Sequence, residues 1–185
     1  MSQPAKIFAN GRSQAVRPPA ASRFDTKDGY LRKDPVTGDV IRRATPDDAQ
    51  AIRALTRDAY AKWIPLIGRE PWPMVADYDV AVREHLIDLL LGAGTVVALV
   101  EMIVQADCVL VENLAVAPAH QSRGYGRALM NHAEQVALGL GHRRLRLYTN
   151  QRFTENIALY GRLGYQIDRE EAVSVGVVVH MSKVI

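Results

Sequence analysis

The sequence predicts an α/β fold, a mixed and mostly antiparallel sheet flanked by helices. Three observations lead there. Apolar runs of strand length recur from residue 95 to the C-terminus, and runs with a helical period stand between them. A glycine-rich turn, Gln121-Ser122-Arg123-Gly124-Tyr125-Gly126, joins one of those apolar runs, Val109 to Val116, to an amphipathic run at 127–140. The chain is 185 residues long and 48% hydrophobic, enough to bury a full core.

In chain order, residues 5–9 read as a short strand with Ile7 and Phe8 for burial. Asn10-Gly11 is a turn dipeptide, 15–17 a second strand, and Pro18-Pro19 a break. Ile41 and its neighbours begin the main domain. Thr45 followed by Pro46 is a helix start, and Ile52, Leu55 and Ala59 keep the helical period to about residue 61. The stretch 63–73 holds both tryptophans, Trp63 and Trp72, with Pro65, Pro71 and Pro73, and reads as stiff loops. Residues 80–91 read as another helix and 92–94 as a turn. Strands are expected at 95–103 and 108–116, then the glycine turn and its helix, ending at Gly139-Leu140-Gly141. Residues 144–149 alternate as a strand, 154–163 form a short helix closed by Gly164, and 165–168 and 176–184 are the last two strands.

The net charge of +3 is unevenly spread. Residues 1–43 hold nine Lys/Arg against four Asp, a balance of +5, while the rest carries −2. A basic arm on a neutral-to-acidic domain suggests different partners for the two parts. No apolar run is long enough to cross a bilayer and no signal-peptide pattern opens the chain, so the expected location is cytoplasmic. The single cysteine, Cys108, excludes an internal disulfide and reads as a small buried hydrophobe. His120 adjoins the glycine turn. His85, His132, His142 and His180 read as surface or edge residues, and no metal-ligand spacing links them.

The glycine turn has the chemistry of a phosphate cradle. A helix start leaves its first amides outside the helical ladder and carries partial positive charge. Gly124 and Gly126 lack a Cβ, which lets an anion approach the main chain, and Arg123 and Arg127 add charge. The dinucleotide fingerprint needs a third glycine where Leu129 stands, and the Gly-Lys-Ser/Thr of a P-loop is missing. What remains, Gln/Arg-x-x-Gly-x-Gly/Ala after Leu114-Ala115-Val116-Ala117-Pro118, resembles the acetyl-CoA turn of the GNAT N-acetyltransferase family. A second segment, Asn156-Ile157-Ala158-Leu159-Tyr160-Gly161-Arg162-Leu163-Gly164-Tyr165, is similar to that family's Asn-x-x-Ala-x-x-Leu-Tyr-x-x-x-Gly-Tyr/Phe run.

The resemblance covers residues 41–185. It implies a GNAT fold with a splayed strand pair, and an enzyme that moves acetyl from acetyl-CoA to a primary amine of a small molecule or peptide by direct transfer. It assigns the pantetheine arm to backbone groups of Leu114, Ala115 and Val116. The pyrophosphate falls to Gln121, Ser122, Arg123, Gly124, Tyr125, Gly126, Arg127 and Ala128, and Asn156 steadies the arm. Tyr160 matches the general-acid tyrosine that protonates the departing thiolate. Glu112 is costly to bury in an apolar strand without a task or a partner. It is either the base that deprotonates the ammonium, as an acidic residue at the matching position is in some members, or a salt-bridged or solvent-facing carboxylate. Asn113 is expected on the opposite strand face. Tyr60, Trp63 and Trp72 either line the acceptor groove, as the corresponding region does in the family, or cap the core.

Residues 1–40 resemble the swapped-hairpin DNA-binding domain of AbrB/MazE-type antitoxins of the VapB-like kind. The runs are Lys6-Ile7-Phe8-x-Asn10-Gly11-Arg12-Ser13-Gln14-Ala15-Val16-Arg17 and Arg32-x-Asp34-Pro35-x-Thr37-Gly38-Asp39-Val40. Pro18 departs from a usual leucine and Gly29 from a branched apolar residue. That resemblance implies a homodimer and DNA-backbone contacts by Arg12, Arg17 and Arg23. It leaves two other readings open: a DNA-binding regulator with an acetyl-CoA-sensing domain, or an acetyltransferase toxin fused to its neutralising segment.

Overall fold

The computed structural model describes residues 40–185 in full and, within the first 39, the strands at 7–10, 13–16 and 32–33. Strands β1 (Ile7–Asn10) and β2 (Ser13–Val16) pair antiparallel, Ile7 opposite Val16 and Asn10 opposite Ser13. Asn10 therefore closes a strand, and the second strand begins at Ser13 rather than residue 15. Arg12, Arg17 and Arg23, and most of the antitoxin-like segment with them, lie outside the described residues.

The main sheet has eight strands among the described residues. They are β3 (Arg32–Lys33), β4 (Val40–Arg43), β5 (Leu86–Gly92), β6 (Thr95–Val104), β7 (Val109–Val116), β8 (Arg144–Asn150), β9 (Gln166–Val173) and β10 (Gly176–Val184). Their order across the sheet is β3-β4-β5-β6-β7-β8-β10-β9, and every neighbouring pair is antiparallel except β7 with β8. The helices are α1 (Ala49–Tyr60), α2 (Ile64–Ile67), α3 (Tyr78–Glu84), α4 (Tyr125–Gly139) and α5 (Thr154–Arg162).

The helix expected at 80–91 is instead two elements. The Asp77 side chain caps α3 by accepting from the Asp79 and Val80 amides at 3.0 and 3.3 Å, and the chain turns extended at His85. Leu86-Ile87-Asp88-Leu89-Leu90-Leu91 then forms β5. A strand buried on both faces shows no alternation, so its apolar run continues the preceding helical pattern without a visible break. Helix α1 also starts later than expected. Pro46–Asp48 make a 3-10 turn, where the Asp48 carboxylate accepts two bonds from the Arg42 guanidinium, both 2.7 Å, and one from the Thr45 amide at 2.7 Å. Those bonds, Arg42's first, hold the Asp48 carboxyl down to about 2.

The sheet separates two cores. Ile87, Leu89, Leu99 and Ala115 pack under α1 and α3 with Ile52, Leu55 and Tyr78. Leu90, Val100, Met102, Val111 and Leu147 pack under α4 and α5 with Leu129, Met130, Ala133 and Tyr160. Each fully buried Leu, Ile or Met contributes roughly 1.5–3 kcal/mol.

Two irregularities in β7 shape the site. Its parallel pairing with β8 ends at Val111 opposite Leu147, although β7 runs on to Val116 and β8 to Asn150, so the strands fork. Against β6, Asn113 lies opposite Glu101 and Val111 opposite Met102, which leaves Glu112 as the extra residue of a β-bulge.

Candidate active site

A cleft of about 660 Å³ opens at the fork, walled by the last residues of β7, the turn at 121–124, the start of α4, helix α5 and the end of α1. The turn enters α4 with Ser122 at φ +62° and Gly124 at φ +89°. These left-handed positions curl successive amides inward, and a residue with a Cβ at Gly124 would be strained. The first helical bond of α4 runs from the Ala128 amide to the Gly124 carbonyl, 2.9 Å, so the amides before it lie outside the helical ladder at the positive end of the dipole. A Cβ built on Gly126 would point at Leu159, Leu114 and Val116, 3.7 to 4.0 Å away. Gly126 therefore faces the gap between β7 and α5.

The fork exposes main chain. The Ala117 amide donates to the Val97 carbonyl on β6 at 2.9 Å, so by antiparallel alternation the polar groups of Val116 and Leu114 point away from β6 and into the fork. Side chains meet them: Gln121 Nε2 donates to the Val116 carbonyl at 3.1 Å, and the Tyr60 hydroxyl reaches the Leu114 carbonyl at 3.5 Å. Tyr160, on the inner face of α5, lines the same cleft as Asn156. Its ring lies 6.1 Å from that of Tyr165, and it makes no side-chain hydrogen bond among the described residues. Burial pushes its hydroxyl up to about 12, so it keeps its proton at neutral pH.

The model of the acetyltransferase (GNAT) family matches residues 50–165. The chain belongs to this family. Its fold is also that of solved acetyltransferases. PaiA N-acetyltransferase from Thermoplasma acidophilum, solved with coenzyme A, is 15% identical with a TM-score of 0.69, over 78% of this chain and 98% of that one. The ribosomal-protein-S18-alanine N-acetyltransferase of Escherichia coli is 24% identical with a TM-score of 0.65, over 80% and 94%. A streptothricin acetyltransferase from Bacillus anthracis, solved with acetyl coenzyme A, is 15% identical with a TM-score of 0.52, over 55% and 63%. No curated protein matches the sequence.

The GNAT cosubstrate is acetyl-CoA, and the residues present suit it. The curled amides and helix start offer donors to a diphosphate, with Arg123 and Arg127 on the same wall, and the forked edge of β7 offers main-chain groups to an extended amide arm. The cleft thus brings together Leu114, Ala115, Val116, Gln121, Ser122, Arg123, Gly124, Tyr125, Gly126, Arg127, Ala128, Asn156, Tyr160, Tyr60 and Trp63. Trp63 is buried, stacked on Phe153 at 4.4 Å. Trp72 does not line the cleft. It is 59% exposed on the 3-10 turn Trp72–Val75, with the Arg69 guanidinium 5.9 Å from its ring.

Glu112 lies beside the cleft, on the α1/α3 side of the sheet. Asn113 was expected on the opposite face, but the bulge turns both residues the same way. Asn113 bonds to Tyr60 Oη at 2.9 Å and Tyr78 Oη at 3.1 Å, and Tyr78 in turn senses the charge of Glu112. Glu112 accepts a hydrogen bond from the Tyr148 hydroxyl. Burial raises its pKa and the Tyr148 bond opposes that rise.

Several polar residues of this acetyltransferase escape a reading by local pattern. Glu101 is buried on β6 with His85 Nδ1 at 2.5 Å. Burial works against charge on His85, but the Glu101 bond together with the negative charges of Glu101, Glu112 and Glu84 outweighs it, and the His85 pKa is raised. His132, expected at the surface, is 4% exposed and sits with Nε2 2.8 Å from Asp88, which also accepts from Arg43 at 2.5 Å. Burial opposes charge on Asp88, yet these two partners hold its carboxyl below the usual range. The signal for both pairs was an isolated Asp or Glu inside an apolar run, Asp88 among leucines and Glu101 between Val100 and Met102. Cys108 is buried as expected, and burial pushes its thiol up to about 11.

Proposed function

We propose that the chain transfers the acetyl group of acetyl-CoA directly to the nitrogen of a primary amine, with Glu112 as base and Tyr160 as acid. Acetyl-CoA supplies the reactive thioester. The turn from Gln121 to Ala128 holds its diphosphate through main-chain amides, with Arg123 and Arg127 adding charge. Leu114, Ala115 and Val116 align the arm along the β7 edge, and Asn156 steadies it from α5. The amine enters from the α1 side, past Tyr60 and Trp63, with Trp72 at the outer rim of that approach. Glu112 takes the proton that the ammonium must lose before nitrogen can attack, and Tyr160 holds the proton that the departing sulfur needs.

The observation that carries this reading is the placement of Tyr160. A tyrosine that is buried as a residue, keeps its proton, has no side-chain hydrogen bond among the described residues, and lines a cleft with the β7 edge and the α4 start is an available acid. The test is thiol release from acetyl-CoA with a panel of diamines, amino acids and peptides bearing free N-termini. The expected result is release that requires an amine and yields an N-acetyl product by mass spectrometry. Thiol release independent of every amine offered, or an acetylated enzyme that accumulates before the product, would sink direct transfer.

A further inference from the structure

The Glu112 carboxylate sits one residue past the last β7–β8 pair, Val111 with Leu147, and Tyr148 is the residue that follows Leu147. Beyond this point the strands share no main-chain bond, yet the Tyr148 hydroxyl on β8 donates to Glu112 on β7. A side-chain bond thus closes the crotch of the fork. We propose that Tyr148 is a positioning residue for acetyl transfer: its hydroxyl ties the Glu112 carboxylate across the fork, fixes the oxygen that receives the amine proton, and keeps that carboxylate ready to accept it.

This inference rests on the reading of Glu112 as the base. Four groups face that carboxylate. Tyr148 approaches from β8, Glu101 from β6, His85 from the junction between α3 and β5, and Tyr78 from α3. Burial raises the Glu112 pKa, the Tyr148 hydrogen bond lowers it, the Glu101 charge raises it, and the His85 charge lowers it. Tyr148 is the only one of the four with a hydrogen bond to Glu112 among the described residues. The other three reach Glu112 by charge alone, so this single donor sets where its oxygens lie.

The experiment compares the intact chain with Tyr148→Phe and Glu112→Gln, following amine-dependent thiol release across the pH range. The amine's own ionisation is common to all three and cancels. Tyr148 is 36% exposed, so Phe keeps the ring packing and water can replace part of the lost bond. The acid limb of kcat/KM for the amine is expected to move up by about one pH unit in Tyr148→Phe, roughly tenfold less activity on that limb, with acetyl-CoA KM unchanged. In Glu112→Gln the limb should vanish. An unmoved limb in Tyr148→Phe, or an equal loss at every pH, overturns the role of Tyr148 while leaving Glu112 in place. A limb that survives in Glu112→Gln instead overturns the base, a separate failure with a separate signature.

Discussion

Replacing Gly126 by Ala separates cradle from scaffold, because the two respond with opposite signs. Gly126 lies in the first turn of α4, where Ala is favoured over Gly by up to about 1 kcal/mol. The new methyl would meet Leu159 Cδ2 at 3.7 Å, Leu114 Cδ2 at 3.9 Å and Val116 Cγ2 at 4.0 Å, all ordinary contacts. Nothing in the fold resists it, so the melting temperature should hold or rise. The methyl stands, however, in the gap between β7 and α5, which on the proposed reading the diphosphate must approach to reach the amides. Forfeiting one charge-assisted amide–phosphate bond costs about 1.5–3 kcal/mol, which weakens coenzyme A binding roughly 10- to 160-fold. Calorimetric titration with coenzyme A beside a thermal melt reads both quantities. Gly124→Ala is the contrasting variant: at φ +89° a Cβ costs about 1–2 kcal/mol, so stability should fall as well. A Gly126→Ala protein that binds coenzyme A as the parent does would refute the placement of the phosphate at this turn.

Three further outcomes are expected. Tyr160→Phe should lower kcat by roughly 100-fold or more with the denaturation midpoint unchanged, since the hydroxyl removed has no side-chain partner among the described residues; kinetics and urea unfolding check the two halves. Asn113→Leu should destabilise by about 1–3 kcal/mol in urea unfolding, because the side chain is 2% exposed and the change leaves Tyr60 only its long contact to the Leu114 carbonyl and takes from Tyr78 the donor it accepts from. Asp48→Asn should cost about 1 kcal/mol at neutral pH, discounted for the partial exposure of the Arg42 pair. The folded carboxyl at about 2 lies below its unfolded value, so its contribution is complete above roughly pH 4 and fades as pH falls toward 2. Thermal melts of parent and variant should therefore converge at the acid end, and a constant difference down to pH 2 would count against the Arg42 pairing.

What could be read from the sequence was local. The glycine turn and the amphipathic helix after it lie within one stretch, so spacing alone carried their shape. Helix α1 showed itself through Ile52, Leu55 and Ala59, and β8 through its alternation from Arg144 to Asn150. Strand β5 did not, since Leu86 to Leu91 is apolar on both faces and period cannot separate a buried strand from a buried helix. The face of Asn113 was hidden for a different reason: one inserted residue reverses the alternation, and no residue type announces a bulge. The contacts around Glu112 and Asn113 were the least legible part. Glu112 meets Tyr148 across 36 residues and Asn113 meets Tyr60 across 53, and pairings of that range come from tertiary packing. His132 misled because a helix face that buries leucines also buried a histidine once Asp88 could accept from it.

The fork itself poses an energetic problem that the fold answers with side chains. Separating two strands leaves main-chain groups without ladder partners, and a buried carbonyl left unsatisfied costs about 1–3 kcal/mol. Gln121 supplies a donor to Val116, and Tyr60, already held by Asn113, leans on Leu114. Both donors belong to residues at the cleft, and both are side chains, which can turn aside where a strand cannot. A cosubstrate arm that bonds to Val116 takes the place of the Gln121 amide, so that one hydrogen bond is exchanged for another and little net affinity comes from it. Gln121 also lies 3.5 Å from Lys62 Nζ, which is bound at 2.9 Å to Glu155 on α5, so its release loosens a bridge between the two walls of the cleft. On the proposed reading, affinity then comes mainly from the diphosphate at the α4 start, where the amides ahead of Ala128 stand at the positive end of the helix dipole. On that reading the turn is the anchor and the fork an alignment device: a change at Gly126 should appear in binding, and a change at the Gln121 and Tyr60 donors in turnover.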